Sequence, residues 1–459
     1  MTNPIKDQVS SMILSASGWR QVFAVSGKEE DHTTQIGETN TLISALIGKA
    51  FSSYIIPIVG QKATIAVGMD ARPTGQEIAK ALIASLLDQG IKVQYLGITA
   101  APEIMAYARQ LDGFVYISAS HNPIGHNGIK FGFNDGGVIP GSEATKLITI
   151  FKDICNDDNC GKIAQNIIQV HSSEVNTVLE QSAQFKEKAV KAYLDFTKEV
   201  VSGKIEKVAQ NQFFAQLTQS LVANPVGIVC DMNGSARCLS IDSTFLPELG
   251  FTYDAMNNEA GKIVHAIIPE PENLVHCASF MEKLHQEGKK QFVLGYMPDC
   301  DGDRGNIVYW NDRTQKADVL QAQEVFALSV LSELAYQVYA NDNTKNLKLG
   351  VSVNDPTSMR IEEIAKAFNG IVARAEVGEA NVVNRARELR LEGYRVPILG
   401  EGSNGGNITH PAAVRDPLNT IFALIKLLVL DDTDNKMGLF HLWCKKSGQE
   451  HLYKRNFTL

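Results

Sequence analysis

One stretch of the sequence brings a hydroxyl and an imidazole to the point where a buried strand must end. An apolar run rich in aromatic and β-branched residues, 114–117, predicts a core strand. It is followed by Ser-Ala-Ser-His-Asn-Pro at 118–123, and proline keeps the residue before it out of helical geometry. Ser120 and His121 therefore lie in a tight loop at a strand end, where open α/β sheets bind ligands.

An amine follows in the same stretch. Asn127-Gly128 predicts a second turn, and Lys130 comes shortly after it. We expect this turn to bring the Lys130 ammonium back to the mouth of the first loop. The plain alternative is a polar turn without a chemical role, since loops generally run over the surface. The hydroxyl, imidazole, amide and amine around two turns count against that alternative but do not exclude it on their own.

Three carboxylates at alternate positions mark a second loop. A strand-like run, 292–297, leads to Asp299, Asp301 and Asp303, with Arg304 next. Carboxylates this close repel each other unless a cation neutralises them, and an oxygen-only set suits a hard ion such as Mg²⁺. A calcium loop of the EF-hand type does not fit, because its sixth position would be arginine and its twelfth tryptophan. A solvated acidic loop is the remaining alternative.

A third loop is rich in glycine and reads Gly-Glu-Gly-Ser-Asn-Gly-Gly at 400–406. It matches the dinucleotide-binding pattern G-x-G-x-x-G, but that pattern must open a helix, and Pro411 follows too soon. We therefore interpret it as a flexible loop in which the Glu401 carboxylate and the Ser403 hydroxyl bind vicinal hydroxyls of a sugar.

Apolar periodicity predicts the elements that must position these loops. The predicted strands are 21–25, 63–67, 91–96, 114–117, 226–230, 292–297, 347–353 and 371–376, and the predicted helices are 41–54, 75–89, 275–286 and 322–340, with 141–222 mostly helical. Strands alternate with helices, which predicts parallel sheets covered by helices. Three strands end on a turn that carries an aspartate, at Asp70, Asp231 and Asp299, which suggests a repeated α/β unit.

Length and composition bound the class of protein. A chain of 459 residues predicts about three domains, each large enough to bury its own core. The formal charge of −8 argues against sequence-independent nucleic-acid binding. Seven cysteines without a C-x-x-C pair predict free thiols, Cys155 and Cys160 included. The N-terminus has no leader pattern and the apolar run 421–430 is broken by Lys426, so we expect a cytoplasmic protein without membrane contact.

Together the three loops resemble those of the α-D-phosphohexomutase family. That family has a phosphoserine loop T/S-A-S-H-N-P, a metal loop D-x-D-x-D-R and a sugar loop G-E-x-S-G, and here they read SASHNP, DCDGDR and GEGSNGG in the same order. The third departs, because Asn404 separates the serine from the glycine pair. Ser17, Gly18 and Arg20 also match a segment that reaches the family's active site. The resemblance covers essentially the whole chain.

The resemblance implies an isomerase that interconverts hexose 1-phosphate and hexose 6-phosphate. A phosphorylated Ser120 would donate its phosphoryl group, and the resulting hexose 1,6-bisphosphate would turn over and return its other phosphate. Mg²⁺ bound by Ser120 and the three aspartates, together with Arg304 and Arg20, would supply positive charge. Lys130 would accept the proton if neighbouring cations lower its pKa, with His121 as the rival. A turn-stabilising hydrogen bond is the alternative for His121, and a surface position the alternative for Arg20.

The resemblance also implies the sugar side of the site without fixing the sugar. Glu401, Ser403 and Asn404 would bind the sugar, and Glu379 lies where family members often place a substrate-facing residue. A carboxylate there would favour an amino sugar by its charge. Arg415 is a candidate phosphate contact, with a surface ion pair to the next residue as the alternative. Glucose and mannose phosphates are the expected substrates, and glucosamine phosphate is the alternative.

The fold that the resemblance implies is three consecutive α/β domains with mixed, mainly parallel sheets flanked by helices around a central cleft. We expect the domain with the phosphoserine loop at 1–200, the one with the metal loop at 201–316 and the one with the sugar loop at 317–440. Residues 441–459 would begin a missing fourth domain or form a linker, so the chain would fold but turn over poorly. The expected partner is a small-molecule sugar phosphate, not nucleic acid, bound by a monomer or a homodimer.

Other function classes leave their own patterns. A serine hydrolase predicts G-x-S-x-G and a P-loop enzyme predicts G-K-[ST], and neither pattern occurs in the sequence. A catalytically inactive sugar-phosphate binding fragment stays open as an alternative. It would need Ser120 only as a turn residue, whereas a mutase predicts a phosphate on that side chain.

Overall fold

Three mixed sheets follow one another along the chain in the computed structural model, which describes residues 4–341, 346–404, 406–455 and 457–459. The first sheet contains β1 Ile13–Ser15, β2 Gly18–Val22, β3 Thr64–Met69, β4 Lys92–Ile98, β5 Gly113–Ile117 and β6 His126–Phe133. The second contains β7 Gly227–Asp231, β8 Thr252–Met256, β9 Phe292–Pro298, β10 Gly305–Asn311 and β11 Lys316–Val319. The third contains β12 Leu349–Asn354, β13 Ile371–Ala375, β14 Arg395–Gly400 and β15 Ile408–Thr409.

Helices cover these sheets and connect them. They are α1 Pro4–Ser11, α2 Gly37–Val59, α3 Gly75–Asp88, α4 Ala101–Ala108, α5 Gly141–Asn156, α6 Cys160–Val170, α7 Ser172–Glu180, α8 Ser182–Ser202, α9 Lys207–Ala223, α10 Asp242–Glu248, α11 Pro271–Gln286, α12 Ala322–Tyr339, α13 Arg360–Ala367, α14 Glu379–Leu391, α15 Pro417–Val429 and α16 Leu439–Lys446. The mostly helical pattern predicted for 141–222 is confirmed as five helices. All seven cysteines are free thiols in the structure.

Each sheet is built on three parallel strands, ordered β5-β3-β4, β9-β7-β8 and β13-β12-β14. These strands are largely buried, which explains why they appear in the sequence as continuous apolar runs. The predicted mixed α/β fold is confirmed. Parallel pairs do not outnumber antiparallel ones among the described strands, however, because each sheet also carries strands that return antiparallel.

The returning strands explain where the three predicted loops lie. The serine loop (118–123) joins β5 to its antiparallel neighbour β6, and the aspartate loop (299–304) joins β9 to β10 in the same way. The glycine loop (400–406) joins β14 to β15. Each loop therefore starts at the carboxyl end of a parallel strand, at the same topological position in its own sheet.

Two local predictions are wrong. The strand predicted at 21–25 instead spans Gly18–Val22 and follows α1 and β1; it includes the buried Trp19, and the buried Phe23 and Ala24 lie beyond its end. Asn127-Gly128 is not a turn but part of β6. The Asn127 amide is buried and donates to Thr74, and a Cβ on Gly128 would lie 2.7 Å from the Ser118 carbonyl oxygen. Glycine at position 128 therefore allows the backbone at Ser118 to approach β6 closely.

One helix, α2, is long and apolar enough to cross a membrane by length and composition, although the sequence analysis singled out 421–430 instead. Most of its most apolar window is buried inside the protein, against α3 and α5. Core helices of globular proteins pass the same length test, so α2 is weak evidence for a membrane span.

The predicted domain boundaries follow the sheets approximately. Strand β11 pairs with β10 of the second sheet, so the boundary placed between 316 and 317 falls inside this strand. Helix α8 packs against α4 and β4 of the first unit and also touches α15 of the third. The boundaries themselves stay predictions.

Candidate active site

Ser120 has an unusual backbone and a buried side chain. Its φ is +54°, in the left-handed region that non-glycine residues rarely adopt. Its amide donates to the Ser118 hydroxyl at 2.9 Å, and the Arg72 guanidinium donates to its carbonyl oxygen at 2.7 Å. Such strain persists only where the surroundings fix the backbone, and it is frequent at functional sites. Here it presents the Ser120 hydroxyl to the second sheet, where it donates to Asp299 at 2.8 Å.

Besides Asp299, the Asp301 carboxylate of the aspartate loop also contacts the first unit. A single oxygen of Asp301 accepts from the Ser118 hydroxyl and from the Lys130 ammonium, both at 2.9 Å. The Asp301 carbonyl also accepts from the Ala101 amide at 2.8 Å. A Cβ on Gly302, whose φ is +71°, would lie 2.4 Å from Arg237. The prediction that Lys130 reaches the mouth of the serine loop thus agrees with the structure, by way of strand β6 and not of a turn.

The three aspartates fit a hard cation. One carboxylate oxygen from each of Asp299, Asp301 and Asp303 lies within 4.8 Å of the others, and all three residues are buried. The other oxygen of Asp301 and one of Asp303 are buried without a hydrogen-bond partner. Buried carboxylate oxygens without partners are costly, and a set made only of oxygens matches Mg²⁺. The residues present therefore fit a bound magnesium ion.

The ionisable groups of this cluster are strongly coupled. Burial and then the Asp301 charge raise the pKa of Asp299 well above its usual range. Burial would raise the pKa of Asp301 too, but the Lys130 ammonium outweighs it and lowers that pKa. For Lys130, burial lowers the pKa, and the Asp301 and Asp303 charges outweigh burial and raise it. The sequence analysis made Lys130 the proton acceptor only if neighbouring cations lower its pKa. Its pKa is raised in this structure, so that prediction is wrong.

The remaining predicted residues meet in a cavity of about 210 Å³ between the units. The serine and aspartate loops line it together with β2, α14 and the glycine loop; the lining includes Ser17, Arg20, Ser120, His121, Lys130, Asp303, Arg304, Glu379, Glu401, Asn404 and Arg415. The Nε atoms of Arg20 and Arg304 are buried without a hydrogen-bond partner in the described residues. Arg20 is half-buried and faces this cavity, which argues against the surface alternative.

His121 is the nearest imidazole to the serine hydroxyl. Its Nδ1 lies 3.4 Å from the Ser120 Oγ. Burial, assisted by the Arg304 charge, lowers its pKa to about 4, so its ring is neutral near pH 7. Lys130 in contrast is held in an ion pair by Asp301. Of the two predicted proton acceptors, only His121 therefore has an uncharged nitrogen in this structure.

The Glu401 carboxylate of the glycine loop accepts hydrogen bonds from residues of its own unit. Glu401 accepts from the Asn354 amide at 3.0 Å, from the Gly378 backbone at 2.8 Å and from the Asn404 side chain at 2.7 Å. Ser403 is exposed and does not line the cavity as Glu401 and Asn404 do. The third glycine of the G-x-G-x-x-G match, Gly405, lies outside the described residues.

Arg415 is not part of a surface ion pair, which corrects that alternative. It is buried and lies 3.0 Å from Asp303 and 3.1 Å from Glu379, while Asp416 is buried separately beside Arg237. Burial raises the pKa of Glu379 more than the Arg415 guanidinium lowers it. Arg415 thus connects the aspartate loop to the first residue of α14, and a bound phosphate would have to share it with two carboxylates.

The sequence analysis missed Arg72 as a site residue. Its guanidinium is buried, pairs with Asp70 and donates to the carbonyls of Ser120 and Asn122. This contact fixes both ends of the strained turn from a neighbouring strand end. The signal was present in the sequence as Gly-Met-Asp-Ala-Arg-Pro after a strand, but an arginine after a strand does not reveal which loop it binds.

Comparisons with known proteins agree with this geometry. Residues 24–158 match the family model "phosphoglucomutase/phosphomannomutase, alpha/beta/alpha domain I". The phosphoglucosamine mutase of Methanococcus vannielii is 27% identical over 373 residues, which cover 81% of this chain and 70% of that protein. The phosphoglucosamine mutase of Clostridium botulinum is 30% identical over 320 residues, 69% of this chain and 61% of its own length.

Solved structures are similar in fold. A Thermus thermophilus protein described as a phosphomannomutase superposes with a TM-score of 0.64 at 17% identity, covering 98% of this chain and 85% of its own. Parafusin, a phosphoglucomutase from Paramecium, gives 0.63 at 16% identity over 95% and 74%. With the matched first domain, the related mutases and the assembled loops, the chain is similar to the α-D-phosphohexomutase family of isomerases over most of its length.

Proposed function

We propose that this chain interconverts the 1-phosphate and 6-phosphate of a hexose, with Ser120 as the residue that carries the transferred phosphoryl group. The observation that carries the proposal is the contact between the Ser120 hydroxyl and Asp299 at 2.8 Å, inside a cluster of three buried aspartates. The strained backbone of Ser120 and the arginines of the adjoining cavity point the same way. A turn serine without chemistry needs none of these features.

In the proposed reaction the phosphoryl group moves between two oxygens. The bond from phosphorus to the Ser120 Oγ breaks as a bond to a sugar hydroxyl forms, and the hydroxyl proton leaves to a nearby base. The bisphosphate then reverses its orientation in the cleft. The bond between the sugar oxygen and its other phosphorus breaks as the Ser120 Oγ forms a bond to that phosphorus. Catalysis of such a transfer rests on positioning and on positive charge around the equatorial oxygens.

The chain supplies that environment from three elements. The Arg20 and Arg304 guanidinia line the cavity with free Nε atoms, and Lys130 adds a charge held by Asp301. Asp299, Asp301, Asp303 and Ser120 would hold Mg²⁺, which when bound supplies a Lewis acid next to the transferring oxygens. His121 lies against Ser120 with a neutral ring, so we assign it the proton, and Lys130 the electrostatic role.

For the sugar we propose glucosamine phosphate ahead of the glucose and mannose phosphates. The curated relatives of this chain described above carry the name phosphoglucosamine mutase, which supports the amino sugar. The Glu379 and Glu401 carboxylates both line the cavity and would attract an ammonium group. Glucose and mannose phosphates carry a neutral hydroxyl where glucosamine phosphate carries the ammonium group, so the carboxylate charges would not favour their binding.

The test is a coupled assay on the 1-phosphates of glucosamine, glucose and mannose, each with a trace of the matching 1,6-bisphosphate, together with the intact mass of the purified protein. We expect a phosphate adduct that Ser120→Ala removes, and the highest kcat/KM on glucosamine 1-phosphate. Turnover of glucose 1-phosphate alone would keep the mutase and overturn the sugar. The absence of adduct and turnover, with sugar phosphate still bound, would instead favour the inactive binding protein.

Further predictions from the sequence belong to this proposal. We infer a hexose 1,6-bisphosphate intermediate and a cytoplasmic protein that binds small-molecule sugar phosphates and not nucleic acid. The formal charge of −8 supports the last point, because nucleic-acid binding needs a basic face.

A further inference from the structure

A second cavity lies away from the catalytic cleft, where three helices end. It has a volume of about 670 Å³, compared with about 210 Å³ for the cleft. Its walls are the end of α8 with Lys204, the end of α12 with Tyr336, and the segment from Arg390 to Pro397 that enters β14. No residue of the serine, aspartate or glycine loop lines it.

The wall of this cavity carries basic side chains that lack an acidic partner. Neither Arg390 nor Arg395 has a carboxylate within ion-pairing distance in the described parts of the chain. Among the described residues, Arg395 donates to the neutral side chains of Gln337 and Asn341, both at 3.2 Å. Arg390 donates to the Val396 carbonyl at 2.8 Å, and its Nε is buried without a partner.

Arg390 is partly desolvated in this position. Burial, with the charge of Arg387, lowers its pKa to about 10. A guanidinium removed from water without an anion loses hydration and gains little in return. Two acidic residues line the cavity, and neither pairs with Arg390 among the described residues: Glu333 is paired with the buried Lys426, and Glu199 makes no ion pair there.

The competing explanation for these basic side chains is that they stabilise the C-terminal ends of helices. Arg390 lies in the last turn of α14, and cations near a helix C-terminus are stabilising. That explains a solvated arginine, but it does not explain why two guanidinia and Lys204 border the same cavity. Nor does it explain the buried, unpartnered Nε, since no helix carbonyl accepts from it.

We propose that this cavity binds an organic monophosphate, with Arg390, Arg395 and Lys204 holding the phosphate and the Tyr336 and Tyr394 side of the cavity contacting a cyclic body. Guanidinia bind phosphate with paired N–H donors, and the volume matches that of small-ligand sites. Val200, Val396 and Pro397 supply apolar wall for such a body. The site differs from the catalytic one, and its occupancy does not depend on the proposed function.

Adenosine monophosphate is a suitable probe, because it carries a phosphate on a flat body. Calorimetric titration of the whole protein should detect it, and adenosine without the phosphate should bind at least about tenfold more weakly. Arg390→Gln combined with Arg395→Gln should abolish the AMP signal. Arg385→Gln is the matched control, because Arg385 lies on the same helix, pairs with Glu388 and does not line the cavity.

Two further variants keep the test decisive. Arg304→Gln alters the cleft only, so AMP binding that persists in it and disappears in the double variant supports the second site. Loss of AMP binding in Arg304→Gln alone would place the ligand in the cleft and overturn the proposal. If the double variant unfolds at a lower temperature than wild type, Lys204→Gln at the rim replaces it, and unchanged AMP affinity there would also overturn the proposal.

Discussion

On one side of the cleft, the serine and aspartate loops hold each other through buried contacts between two sheets. Ser120 donates to Asp299, and Ser118 and Lys130 both donate to Asp301. On the other side, the described part of the glycine loop makes its hydrogen bonds within its own unit, through Glu401 and through the Gly402 amide, which donates to Thr357. The first side is fixed from both directions, whereas the second carries an exposed serine.

This difference suggests that the two sides of the cleft have different roles in the proposed reaction. Phosphoryl transfer requires the donor oxygen and the positive charges within fractions of an ångström, and a network satisfied across two units provides that. Recognition of a sugar tolerates adjustment, and a loop that is bonded only within its own unit can change its contacts without moving the reacting groups. We therefore expect the largest effects from changes on the first side.

Ser120→Ala should have the largest effect. Removing the oxygen that carries the phosphoryl group should lower kcat by about 10⁴-fold or more, because the other hydroxyl that donates to an aspartate, that of Ser118, does not line the cavity. Steady-state assay and intact mass measure this, and thermal unfolding checks the fold. Wild-type turnover in the variant would contradict the whole mechanism.

Asp301→Ala should come next. The change removes one of the candidate metal ligands and leaves the buried Lys130 ammonium without its partner. We expect Mg²⁺ affinity to fall about a hundredfold or more and the protein to lose on the order of 3 kcal/mol of stability. Calorimetry with MgCl₂ and chemical denaturation measure the two quantities. An unchanged Mg²⁺ affinity would remove the metal from the aspartate loop.

Arg72→Lys sharpens the comparison, because Arg72 shapes the first side without touching the cavity. Lysine keeps the charge beside Asp70 but cannot bind the Ser120 and Asn122 carbonyls together. We expect kcat to fall about 10- to 100-fold with little change in KM, since the reacting oxygen shifts while sugar contacts remain. A rise in KM at constant kcat would show that Arg72 acts on binding instead.

Ser403→Ala should have the smallest effect. The hydroxyl is exposed, so its loss should cost about 1 kcal/mol or less in substrate binding, a change of a fewfold in KM. The same assay measures it beside Ser120→Ala. A loss of kcat comparable with that of the first-side variants would mean that the glycine loop closes onto the substrate and joins the rigid part of the site.

The sequence predicted the three loops better than the residues that hold these loops in place. Ser120, the three aspartates and Glu401 follow strands in recognisable patterns, and local patterns survive folding. Arg72 and Arg415 act on partners 48 and 112 positions away, and no spacing rule reveals such contacts. The direction of the Lys130 pKa was missed for the same reason, because it depends on Asp301 arriving from another sheet.

Strand β6 shows a second limit of sequence reasoning. Asn-Gly is a strong turn signal, yet Asn127-Gly128 pairs in register with Arg20 and Gln21. A buried partner for the amide and the close approach of Ser118 outweigh the local preference. The overall α/β alternation was predictable because it depends on periodicity, which is a property of each segment alone.

The hydrogen bond from Ser120 to Asp299 makes the two units electrostatically dependent on the state of one oxygen. As a free hydroxyl, that oxygen donates a proton and draws the two loops together. Once phosphorylated, it has no proton to donate and carries close to two negative charges against buried carboxylates. Attraction then becomes repulsion, which a cation bound between the loops would offset. Added magnesium should therefore raise the unfolding temperature of the phosphorylated protein more than that of the unphosphorylated one.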